Sequence, residues 1–193
     1  HVAFASAATN FVAGDTNGNI DIFIKNLDSG AIERVNTNSA GAQGSGGDCG
    51  TPSLSGDARY VGFVCAQTGL VADSGGAVAG FFVKDRQTGA IRRVSVNASG
   101  VPANAASSAT AQALADNGIA VFASAANNLV DGDTQRYADV FAQRYAAAGA
   151  IATTTAIVSH APEPTAAGQS YVVAVGVTRS SGSQAIGGSV AIS

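Results

Sequence analysis

Phe4, Phe63 and Phe122 stand 59 residues apart, and Phe23, Phe82 and Phe141 keep the same interval. Val12, Val71 and Val130 repeat it, as do Asp57 and Asp116. A constant period over so many positions constrains the fold more than any other feature of the chain. Each copy must form the same unit, and a unit this small must bury a face against its neighbour. The aligned stretches run VAFASAATNFVAGDTNGNIDIFIKNLDSGAIERV from Val2, VGFVCAQTGLVADSGGAVAGFFVKDRQTGAIRRV from Val61, and AVFASAANNLVDGDTQRYADVFAQRYAAAGAIAT from Ala120.

Each copy reads as four short strands. In the second they are TPSLS (51–55), RYVGFVCA (59–66), GFFVKD (80–85) and AIRRVSV (90–96). Val61, Phe63 and Cys65 alternate with Gly62 and Val64, which is the period of a strand, and SGD and QTG supply turns between strands. Twenty-four glycines, no Met or Trp and 12% charged residues suit an all-β, turn-rich chain and suit helices poorly. Four antiparallel strands per repeated unit describe a propeller blade. The period exceeds the ~40–50 residues of a common blade. The surplus falls in the DTNGN loop and in the Gly/Ser/Ala stretches after the last strand, NTNSAGAQGSGGD and NASGVPANAASS.

The run PSLSGDARYVGF, followed by TGLVADSGG and FFVKDRQTGAIRRVSV, resembles the TolB-like, WD-repeat-type propeller blades of secreted bacterial proteins. The resemblance covers residues 1 to about 150 and implies an incomplete ring of about three blades over residues 1–151. It also implies a secreted or cell-surface bacterial protein, the periplasm fitting less well. His1 falls in the slot of Tyr60, inside a strand, so the chain reads as part of something longer or as one completed by its neighbours.

Residues 152–193 differ in composition. They carry a Thr-rich entry, the turn Pro162-Glu163-Pro164 and a long alternating strand, QSYVVAVGVT. Tyr171, Val173, Val175 and Val177 would share one face of that strand. This stretch resembles the first half of a bacterial immunoglobulin-like repeat, about 40 residues of the ~100 that a full sandwich needs.

The loop GDTNGNIDIF places Asp15, Asn17, Asn19 and Asp21 at alternate positions. Hard oxygens so spaced are calcium chemistry, and calcium is the one cofactor that the sequence suggests. The second copy has Ser74 and Gly80 where the first has Asp15 and Asp21; the third keeps Asp131, Asp133 and Asp139 but has Gln135 and Tyr137. A frame that survives the loss of its acids reads first as an Asx-type turn.

Cys49 and Cys65 are the only cysteines; one disulfide between them is the expectation, with two free thiols as the alternative. Ten basic against thirteen acidic residues leave no electrostatic footprint for nucleic acid, and no apolar run reaches the ~18 residues of a membrane span. Two histidines, His1 and His160, with no nucleophile elbow or zinc motif in the sequence, argue against hydrolytic chemistry. Asp57, Asp116, Asp28 and Asp85 read as turn acids, and Arg34, Lys84, Arg92 and Arg93 as solvated strand faces. Arg136, Tyr137, Arg144 and Tyr145 form the one local concentration of aromatic and cationic groups, a candidate binding surface. Asn97-Ala98-Ser99 is a glycosylation sequon.

Together these features point to a non-catalytic extracellular binding, adhesion or scaffold module. Its partners would be protein or glycan surface ligands, or copies of itself. Two other readings are the subunit of an extracellular filament completed by strand exchange and the accessory propeller of a secreted hydrolase.

Overall fold

The computed structural model describes residues 1–72, 78–134 and 137–146 in full, and the backbone of three further strands, 153–161, 171–179 and 186–192. The chain divides into two compact units, His1–Ala148 and Gly149–Ser193. Every regular element among the described residues is a β-strand, and the sheets are antiparallel and open.

In the first unit, strands β1 (Val2–Ser6), β2 (Asp21–Lys25) and β3 (Ile32–Arg34) form one sheet. A second sheet is the four-stranded meander β4 (Cys49–Leu54), β5 (Tyr60–Cys65), β6 (Gly80–Asp85) and β7 (Ile91–Arg93). The third sheet combines two short pieces, β8 (Ser107–Ser108) and β9 (Leu114–Ala115), with β10 (Ile119–Ser124) and β11 (Asp139–Arg144).

The 59-residue period is a period of strand register. Phe4 lies opposite Phe23, Phe63 opposite Phe82, and Phe122 opposite Phe141. All three pairs stack, with ring centroids 5.7, 6.0 and 5.6 Å apart. Cross-strand aromatic pairs of this kind stabilise a sheet beyond simple area burial.

The Gly/Ser/Ala stretches, read above as surplus loop, are repeated structure as well. Asn38 Oδ1 accepts from Ala40 N and Ala42 N, and Asn97 Oδ1 accepts from Ser99 N and Val101 N. Their amides donate to Gly69 O and Asn128 O, again at equivalent positions. The side chain of the sequon asparagine thus closes a turn.

The core follows from strand alternation. Ile22 and Ile24 of β2 pack with Val61, Phe63 and Cys65 of β5, while Phe82 on β6 faces the same cluster. Its neighbours Phe81 and Val83 point the other way and pack with Leu114, Ala120 and Phe122 of the third sheet. Each such side chain contributes ~1.5–3 kcal/mol by leaving water. Cys49 and Cys65 sit directly opposite one another and are joined by a disulfide inside this core.

Of the four cations assigned above to solvated faces, two are buried and one is half-buried. Lys84, 4% exposed, donates to Thr37 O, Asn38 O and Gly89 O, tying two turns together. Arg93 is buried and Arg34 half-buried at the sheet ends, and only Arg92 is exposed. Strand alternation predicted a face for each residue; the neighbouring unit then covered that face.

In the second unit, β12 (Thr153–Ala161), β13 (Tyr171–Arg179) and β14 (Ile186–Ile192) form a three-stranded antiparallel meander with a bulge between Ile157 and Ser159. The Pro162-Glu163-Pro164 turn lies outside the described residues.

Candidate functional site

The GDTNGNIDIF loop turns through Gly14 and Gly18, both in the left-handed region (φ 76° and 70°), which glycine enters at no steric cost. Asn17 Oδ1 accepts from Asn19 N at 3.0 Å, an Asx-type turn. The Asn17 amide donates to Asp21 Oδ1 (3.2 Å) and to Gly44 O (3.3 Å). Asp21, fully buried at the start of β2, also receives the amides of Asn36 and of Gln67 (2.8 Å), the latter from the second copy. At the centre stands a guanidinium. Arg34 Nη1 lies 3.3 Å from Asp15 Oδ1 and 3.7 Å from Asp21 Oδ2, and it donates to Gln43 Oε1 at 2.7 Å.

Of the four candidate calcium ligands, the fold brings Asp15, Asn17 and Asp21 together, with the Arg34 cation between the two carboxylates. Asn17 turns its amide nitrogen toward Asp21 and its oxygen toward the backbone, and Asn19 contributes its N–H. Among the described residues, no group of three or more His, Cys, Asp or Glu side chains is placed to hold a metal. Burial, and then the neighbouring Asp21 carboxylate, push the Asp15 carboxyl above its ordinary range, with Arg34 opposing them. Two buried carboxylates sharing one cation form a structural network that is costly to break.

In the third copy, Asp131, Asp133, Thr134 and Asp139 line an open cleft of about 530 Å³ together with Val130 and Phe141. Gln135 there, and Ser74 in the second copy, lie outside the described residues.

The aromatic and cationic group at 136–145 is divided by the fold. Arg136 lies outside the described residues, and Tyr137 is 77% exposed. Arg144 is exposed and donates to Asn117 O. Tyr145 is a core residue, 4% exposed, its hydroxyl donating to Ala115 O at 2.8 Å. Burial, assisted by Asp116, pushes the Tyr145 hydroxyl up to about 12. Neighbours on one strand point to opposite faces, which separates Arg144 from Tyr145.

Tyr145 instead meets Tyr60 edge to face, 5.0 Å between centroids. Two small clefts flank this pair. One, of about 210 Å³, is lined by Tyr60, Asp85, Ile91, Arg92 and Tyr145. The other, of about 220 Å³, is lined by Ser55, Asp57, Tyr60, Asp116 and Tyr145. Arg59 lies over the Tyr60 ring and grips Asp85 with two hydrogen bonds, of 3.0 and 2.7 Å. That grip holds the Asp85 carboxyl down at about 2. The Ser55 hydroxyl, donating at 2.6 Å, is the main cause that lowers Asp57. Asp116 accepts from Gly56 N of the preceding copy at 2.6 Å. The repeat pointed to Asp57 and Asp116 as turn acids, but Tyr60 does not recur, since His1 and Ile119 hold its place, and no sequence signal marked it.

Comparison with protein-family models, with curated proteins and with solved structures finds no match to the chain.

Proposed function

We propose that the chain is a non-catalytic binding and scaffold module of an extracellular protein, built from propeller-type blades and followed by an immunoglobulin-like repeat. The observation that carries this reading is the recurrence of one strand register through three copies, with the acids beside the clefts committed to structural bonds. Asp85 is held by Arg59, Asp57 by Ser55 and Asp116 by a backbone amide. Carboxylates so tethered are poor general acids, yet their remaining lone pairs suit a hydroxyl-rich ligand. A tyrosine face beside them is the other half of a saccharide site. The buried disulfide supports an oxidising, extracellular compartment.

Glycan-array binding followed by calorimetry tests this reading. Asp116→Asn and Arg92→Ala would each weaken a captured saccharide at least several-fold. A blank array, or binding that neither change affects, overturns the assignment of the clefts.

A further inference from the structure

The sequence holds Asn-Gly at two places, Asn17-Gly18 and Asn117-Gly118. Asparagine is thermally labile, and most so before glycine, which has no Cβ to hinder its backbone nitrogen from reaching the preceding side chain. The fold gives the two sites the same local form. Gly18 and Gly118 both lie in the left-handed region (φ 70° and 84°). Each asparagine closes an Asx-type turn: Asn17 Oδ1 accepts from Asn19 N at 3.0 Å, and Asn117 Oδ1 from Ile119 N at 3.2 Å.

They differ at the glycine amide. Gly118 is buried, its N–H donates to Ala115 O at 3.0 Å, and its carbonyl accepts from Tyr145 N at 2.8 Å. Attack by that nitrogen would first break a buried backbone bond. Gly18 is exposed, a Cβ there would meet nothing within 4 Å, and its N–H makes no hydrogen bond among the described residues. The Asn19 N–H stabilises negative charge developing on Asn17 Oδ1 under attack. The two bonds from Asn17 Nδ2, of 3.2 and 3.3 Å, are long and hold the leaving nitrogen only loosely.

We infer that Asn17 is a deamidation site of the folded protein, converted to aspartate and isoaspartate through a succinimide formed with Gly18, while the fold protects Asn117. The Gly18 nitrogen attacks Asn17 Cγ. The N–Cγ bond forms, the Cγ–Nδ2 bond breaks, and Nδ2 leaves as ammonia with the proton given up by Gly18 N. Water then opens the ring. Breaking the new N–Cγ bond gives aspartate; breaking the original peptide bond to Gly18 gives isoaspartate. The effect reaches beyond the loop. The Asn17 amide donates to Asp21 Oδ1 and Gly44 O, and its loss sets a carboxylate against two acceptors. Asp21 is fully buried and receives the Gln67 amide of the second copy, so ageing at Asn17 loosens the network that joins the two copies. The inference involves neither Tyr60 nor Tyr145 and is independent of the saccharide reading.

Incubation of the full chain at mildly alkaline pH, followed by peptide mapping with mass spectrometry, tests it. In native buffer, acid is expected to replace amide at residue 17 several-fold faster than at residue 117, with both aspartate and isoaspartate recovered. In guanidinium chloride the two sites are expected to react at comparable rates, since only the fold separates them. Asn17→Asp, which installs one of the products, is expected to lower the thermal midpoint. Asn117→Asp is expected to leave it nearly unchanged, because Asn117 Nδ2 donates to no group among the described residues. Equal rates at the two sites in the folded chain, or no conversion at residue 17, overturn the inference. Conversion without isoaspartate overturns the succinimide route, and a midpoint no lower for Asn17→Asp than for Asn117→Asp overturns the link to Asp21.

Discussion

Asp21 and Gly80 hold the same place in successive copies, and their surroundings have diverged around a shared backbone. In the first copy, Asn36 Oδ1 accepts from Ile22 N at 2.9 Å; in the second, Ser95 Oγ accepts from Phe81 N at 3.0 Å. The buried amide near the start of β2 and of β6 is thus satisfied in both copies, by different side chains. The arginine after it is kept as well, as Arg34 and Arg93. Arg34 meets two carboxylates. Arg93 donates to Val78 O at 2.7 Å and lies over the Phe82 ring, and a Cβ at Gly80 would fall on its guanidinium. The difference teaches that the repeat preserves the satisfaction of buried backbone groups, which have no alternative to a hydrogen bond. The side chain that supplies the acceptor differs from one copy to the next.

The sharpest break in that comparison is Asp21→Ala. It strands Arg34, Asn36 and Gln67 in the first copy and is expected to cost ~3–5 kcal/mol, the range for removing one partner of a buried ion pair. Urea unfolding measures it, and a loss below ~1 kcal/mol would mean that the network contributes little. Next in size, replacing both Cys49 and Cys65 by serine is expected to cost ~2–4 kcal/mol. The chain already carries serine at Ser6, Ser108 and Ser124, the equivalent positions of the other copies, so fold and register are expected to survive while the unfolding midpoint falls. Gly80→Ala, which sets a methyl against Arg93, is expected to cost ~1–3 kcal/mol as an overpacking change. Gly50→Ala, where a Cβ meets nothing within 4 Å, is its control.

Smaller effects separate the carboxylates by pH. Asp85 sits at about 2 against an ordinary 3.8, so the folded state binds fewer protons between those values. Its stabilisation is present above pH 3.8 and is lost as pH falls toward 2. Asp15 is shifted the other way, and its contribution improves as pH falls through its raised value. Asp85→Asn is therefore expected to flatten the loss of stability between pH 3.8 and about 2, and Asp15→Asn to remove the gain that comes as pH falls to 3.8 from above, as read from unfolding curves across both ranges. The smallest expected response is to calcium. With Arg34 between Asp15 and Asp21, the thermal midpoint is expected to be the same in calcium and in chelator, and a clear rise with calcium would place a metal among these residues.

Much of the first unit was legible from the period and the alternation of side chains. Both are local properties of a strand, and the three Phe–Phe pairs follow from them. The turns at Asn38 and Asn97 were not legible, because glycine- and serine-rich stretches carry no periodicity. Nor was the burial of Lys84, which depends on carbonyls at Thr37 and Asn38, 47 and 46 residues back. Tyr145 looked like a surface aromatic beside Arg144, and only the packing of the third sheet on the second drew it inside against Tyr60.

By itself, then, the sequence determined the repeat, the strands and their register, because these depend on residues near one another in the chain. It also favoured the pairing of Cys49 with Cys65 that the structure holds. Tertiary structure decided which charges are buried, and with what. Gln67 reaches Asp21 across 46 residues, and Asp116 reaches Gly56 across 60. The partner of a buried charge is chosen by the stacking of one copy on the next, which the strand pattern of a single copy does not record.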